Sequence, residues 1–159
     1  MPSLVHAKLA VERLKPAPIP QGWIVEGAPQ ARAVMLSESR DGTTTTNHWD
    51  CTAGTFDWNF GAAEETVHIL EGEVHVLDET GAAYTLRAGD VAVFHARTSA
   101  RWHVPNYVRK LAICRRPMPA GLGLALRTAK RIKGLIHRRV GFAIAGPAAP
   151  ILSQIAALS

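Results

Sequence analysis

Cysteine is scarce in this chain of 159 residues, with only Cys51 and Cys114 present. Two thiols exclude the disulfide framework of a small secreted domain and suit a reducing compartment. Acidic residues stop early: all 13 lie at or before Asp90, while 12 of the 18 lysines and arginines follow it. Residues 1–90 therefore carry a net charge of about −7 and residues 91–159 about +12, a split that marks a basic face or tail and not a uniformly basic protein. No aromatic interleaving or reading motif accompanies the basic stretch, so a nucleic-acid partner is not expected. Charge of either sign is missing from Val140 to Ser159. Pro147, Pro150, Ser153 and Gln154 interrupt that stretch and alanine supplies much of its apolar content, which favours two short packed helices over a membrane span. The N-terminus shows no basic segment followed by an apolar run and a cleavage site, so the expectation is a cytoplasmic protein without a secretory signal.

What is present fits one globular domain: 47% of residues are hydrophobic and 19% charged, an ordinary balance for a chain long enough to bury a core. Residues 1–46 read as an N-terminal arm. Pro16, Pro18, Pro20 and Pro29 break any long helix there, and short strands are expected around Trp23-Ile24-Val25 and residues 34–40. From Asn47 onward, short alternating runs separated by turn residues give the signature of an all-β sandwich or barrel. Strands are expected near 47–52, 55–60, 65–70, 73–78, 83–87, 91–95, 100–104 and 107–114. The breaks fall at Gly54, Gly61, Glu71-Gly72, Gly81, Gly89 and Pro105-Asn106. Eight short strands in this order point to a jelly-roll barrel with its core in residues 47–116.

After Pro117 the period changes. Leu122, Leu126, Ala129, Ile132, Ile136 and Val140 recur at three- and four-residue steps, with arginines and lysines filling much of the remaining circumference. Residues 117–159 are thus read as a basic amphipathic helix followed by an apolar tail. Such a helix fits packing on the barrel or on a second subunit. It also fits an anionic membrane surface, reached through residues 120–145 and placing the protein at the membrane periphery.

The runs Trp49-Asp50-Cys51 through Trp58-Asn59-Phe60, Glu65 through Gly72, Gly89-Asp90 through Phe94, Ser99 through Trp102, and Val108-Arg109-Lys110 together resemble the cupin superfamily. Within it they are most similar to the branch of the ureidoglycine aminohydrolase and ethanolamine-utilisation cupins. The resemblance covers residues 47–114 and implies an all-β cupin jelly-roll barrel, commonly a homodimer. Metal-binding cupins carry a histidine pair, a glutamate and a later histidine. Here Glu65 holds the glutamate position, but Trp58 and Phe60 fall where the pair belongs and Trp102 near the last histidine. In the second motif His95 and Arg97 hold the usual proline and glycine positions.

An indole or phenyl ring has no lone pair to offer a divalent metal as imidazole does, so neither a metal nor another cofactor is expected. Strand alternation sets Glu65 on one face with Val67 and Ile69, Trp58 with Phe60, and Lys110 with Val108, Ala112 and Cys114. If these faces converge, the barrel holds an aromatic-walled site with Glu65 and Lys110 as its acid–base or charge-pairing groups. Trp49, Cys51, Trp58, Phe60 and Trp102 would be its lining. The expected function is binding, and conversion if Glu65 acts as acid or base, of a small polar metabolite. A metal-dependent hydrolase like ureidoglycine aminohydrolase is the enzymatic alternative. A membrane-surface or oligomerisation module acting through the basic helix is the non-enzymatic one. The bland alternative for the site is an internal Glu65–Lys110 ion pair in a ring-filled core.

Overall fold

The computed structural model describes residues 3–118. The helix expected after Pro117, with its membrane-surface reading, lies almost entirely outside the described residues. Two three-residue 3₁₀ turns, Val11–Arg13 and Gln21–Trp23, punctuate the arm; the other regular elements among the described residues are antiparallel strands. The strands are β1 (Lys15–Pro16), β2 (Ile24–Gly27), β3 (Ala31–Glu38), β4 (Thr44–Asn59), β5 (Glu64–Asp78), β6 (Ala83–Arg87), β7 (Val91–Phe94) and β8 (Ser99–Arg115). Among the described residues, no helix is long and apolar enough to cross a membrane.

Three strands are longer than the sequence pattern leads one to expect. The runs 47–52 and 55–60 are both part of β4, 65–70 and 73–78 of β5, and 100–104 and 107–114 of β8. Glycine, or a Pro-Asn pair, between two alternating runs signals a break, but here it marks a corner. Register shifts fall at Thr52/Gly54 of β4 and at Gly72/His75 of β5, so each strand bends and carries on into a second sheet. Gly72 shows why the residue is fixed. Its φ is 74°, and a Cβ there would lie 1.9 Å from the Tyr107 carbonyl oxygen, so no side chain fits the corner.

The bends produce two facing layers. In one, β3, the first half of β4, the second half of β8, the first half of β5 and β7 pair side by side. In the other, β2, the second half of β4, the first half of β8, the second half of β5 and β6 do so. This is a jelly-roll sandwich closed along β4, β8 and β5. Its interior is the continuous core of Trp49, Phe56, Val67, Ile69, Val76 and Trp102 with their neighbours, and Ile19 and Ala31 from residues 1–46 join it.

One detail supports the motif alignment. Arg97 is the only non-glycine residue with positive φ among those described, at 66°, and its N–H donates to the Gly61 carbonyl. That left-handed conformation is the one glycine adopts freely, and Arg97 stands where the resemblance puts a glycine.

Candidate functional site

The site is set by register. Trp49 of β4 pairs across to Lys110 of β8, which pairs onward to Ile69 of β5. Alternation then sends Trp49, Lys110, Ile69, Val67 and Glu65 to the same inner face. From the facing layer come Phe56, Trp58 and Trp102, with Trp102 paired between Phe56 and Val76. Lys110 is 2% exposed and Glu65 7%. Their charged ends meet: Nζ of Lys110 donates to Oε1 of Glu65 at 2.6 Å.

Around that ammonium stand three indoles, with ring centroids 4.3 Å (Trp102), 4.7 Å (Trp49) and 5.6 Å (Trp58) from Nζ. The negative faces of the rings favour a cation at this range. The rings also lean on each other edge to face, Trp49 against Trp58 and against Trp102. The cage that could receive a cationic ligand is therefore filled by the protein's own lysine. One donor is left over: the buried Trp102 Nε1–H has no acceptor among the described residues. A buried N–H without a partner costs roughly 1–3 kcal/mol.

Phe60 stacks on Phe94 at 4.5 Å, and Phe94 in turn tilts against Trp102 at 5.4 Å. On its other side Phe94 lines a cleft of about 430 Å³ between β6 and β7, along with Tyr84, Leu86, Glu79 and His95. One aromatic ring thus lies between an open cleft and the aromatic cage. Cys51 is fully buried on the Trp49 side of β4, and burial, with help from Asp50, pushes its thiol up to about 12. It fills core space and is a poor nucleophile. The thiol of Cys114 is also raised by burial.

The residues do not fit a metal. Trp58, Phe60 and Trp102 bring no donor atoms, and Glu65 is held by Lys110. Among the described residues no three His, Cys, Asp or Glu side chains are grouped to hold an ion. Neither remaining histidine of the second motif joins Glu65: His95 is exposed at the cleft and His103 points outward from its layer. Arg109, adjacent to Lys110, also faces outward and pairs with Glu71 at 2.8 Å.

A second buried polar cluster had no clear signature in the sequence. Asp50, 1% exposed on the outward face of β4, accepts from the Arg32 guanidinium and from the Tyr107 hydroxyl at 2.9 Å. Burial and the Asp50 charge push the Tyr107 phenol up to about 12. Next to it, His48 is fully buried, neither ring nitrogen has a partner among the described residues, and burial depresses its pKa. The only hint was a carboxylate alternating with a histidine in a strand whose two faces are both covered.

A jelly roll with strands bent at glycine corners and an inward glutamate on β5 defines the cupin architecture. Residues 38–112 match the family model described as the EutQ-like cupin domain, and that part of the chain belongs to the cupin superfamily, of the EutQ-like type. Among solved structures, the chain is similar to a Pseudomonas syringae protein of unknown function, with 25% identity and a TM-score of 0.58. That match covers 64% of this chain and 43% of the other. A Thermotoga maritima protein provisionally described as an oxalate decarboxylase aligns at 15% identity and a TM-score of 0.53, over 70% of this chain and all of the other; at that identity it shows the fold alone. A Salmonella typhimurium protein provisionally named ethanolamine utilization protein Q shares 26% identity over 55% of this chain and 70% of its own, with a TM-score of 0.49. No curated protein matches the chain.

Proposed function

We propose that this protein is a small-molecule-binding cupin whose ligand is a small polar metabolite carrying an acceptor oxygen. The observation that carries the reading is the buried Glu65–Lys110 pair inside three indoles, with the Trp102 N–H lacking an acceptor among the described residues. Burying two charges costs several kcal/mol per ion, and well-packed apolar residues of the same size generally serve a core equally well or better. An interior that retains the pair and leaves a donor beside it is better suited to recognition than to stability alone.

In this reading the ligand enters through the β6–β7 cleft past Phe94. Its acceptor oxygen takes the Trp102 N–H and shares the Lys110 ammonium, and its flat or aliphatic part stacks on the rings. Glu65 is the group in reach of a ligand proton and hence the acid or base in any conversion. Homodimer assembly belongs to the same reading and is measured by light scattering.

A thermal-shift screen of small carboxylates, amides and amines tests the site. The reading expects at least one compound that raises the wild-type melting temperature and loses most of that shift in both Glu65→Gln and Trp102→Phe. No active compound, or shifts that survive both substitutions, overturns it.

A further inference from the structure

On the outward face of the second layer, register builds a polar row across four strands. Thr55 of β4 pairs with His103 of β8, His103 with His75 of β5, and His75 with Thr85 of β6. The two imidazoles sit side by side with centroids 5.8 Å apart and planes within 18° of each other. Each is tied at the same nitrogen: Nδ1 of His103 lies 2.9 Å from the Thr55 hydroxyl, and Nδ1 of His75 lies 3.0 Å from the Thr85 hydroxyl. A hydroxyl can accept from Nδ1–H, and that tautomer leaves the lone pair on Nε2 of both rings. Nε2 of His75 lies 3.7 Å from Oε1 of Glu73, whose other oxygen is held by Arg87. Both histidines are solvent-accessible and border a shallow groove of about 250 Å³ with Tyr84 and Arg101.

We infer that His75 and His103 form a surface site for a divalent transition ion of the zinc, nickel or copper class. Each ring coordinates through Nε2, and water completes the shell. Paired imidazoles suit these ions, and a ligating histidine characteristically donates its other ring N–H to an oxygen, the role Thr55 and Thr85 play here. Glu73, itself paired with Arg87, adds negative charge beside the ion. The site is independent of the Glu65–Lys110 interior, because alternation places His103 and Trp102 on opposite faces of β8.

Isothermal titration of the full-length protein with zinc chloride and with nickel chloride tests it. One ion per chain is expected. Affinity falls at least tenfold in His75→Ala and in His103→Ala, and several-fold in Thr55→Val with Thr85→Val, while His95→Ala leaves it unchanged. Binding also weakens in acid, because the proton and the ion compete for the ligating nitrogen. Where a variant folds poorly, ring-proton NMR of the wild type decides. Substoichiometric nickel broadens the His75 and His103 signals before those of the other histidines. Absence of binding at millimolar ion, or affinity unchanged in both alanine variants, or broadening centred on other histidines, overturns the site.

Discussion

The two faces of β8 carry opposite kinds of polar chemistry within one strand. Inward, Lys110 is 2% exposed, paired with Glu65 and roofed by indoles, so its charge has exchanged water for one carboxylate and three ring faces. Outward, Arg101 and Arg109 pair with Asp57 and Glu71, partly or largely in water, and His103 shares its ring face with His75. Inside, each polar group depends on its partner because no solvent can replace it. Outside, each partner is exchangeable, and the side chains are free to meet something else. The strand's alternation therefore sorts residues that define the interior from residues open to ligands at the surface.

The largest effect that sharpens this contrast is Lys110→Met, which strands the Glu65 carboxylate in the core. It should destabilise the fold by about 3–5 kcal/mol, whereas the double variant Lys110→Met with Glu65→Leu should recover most or all of that loss. Chemical denaturation of the three proteins measures it. Equal losses in the single and double variants would mean that the pair is not coupled.

His48 supplies a pH test from a third setting, where a polar group is buried with no hydrogen-bond partner among the described residues. Burial lowers its pKa, with the Arg109 charge adding to the effect, so the native state holds the ring neutral while the unfolded chain takes up a proton near about pH 6.5. Below that value the unfolded state binds more protons, and stability falls with pH until the lowered native pKa is passed. His48→Leu should raise stability by about 1–3 kcal/mol and flatten the fall in melting temperature between pH 7 and 5. A variant with an unchanged slope would place the pH dependence elsewhere.

Two smaller effects complete the contrast. Arg97→Gly relieves a left-handed backbone and should stabilise by about 1 kcal/mol. Asp57→Ala breaks the exposed pair with Arg101 and should cost less than about 1 kcal/mol, a loss that shrinks further in high salt. A cost comparable to that of Lys110→Met would erase the distinction between the two faces.

Much of this architecture is legible in the residues because alternation is a local property. Glu65, Val67 and Ile69 share a face, as do Lys110 and Val108, and both sets are buried in the structure. Glu71-Gly72 and Pro105-Asn106 illustrate the limit of a local pattern. A turn and a corner place the same residues between two alternating runs, and only cross-strand register tells them apart. Register also hid the Arg32–Asp50–Tyr107 cluster and the Thr55–His103–His75–Thr85 row, whose hydrogen-bonded partners are up to 57 residues apart in sequence. The convergence of Glu65 with Lys110 followed from the resemblance. Their direct contact inside three indoles depends on how far the lysine side chain reaches along the inner face.

The most direct test of the interior as a recognition site uses the stable core-swapped protein as its own control. Ligand binding should be measured side by side on wild type and on Lys110→Met with Glu65→Leu, using any metabolite that shifts the wild type. The account predicts a well-folded double variant that has lost the ligand-induced shift. A double variant that keeps it would show that the buried pair serves the core and not the ligand.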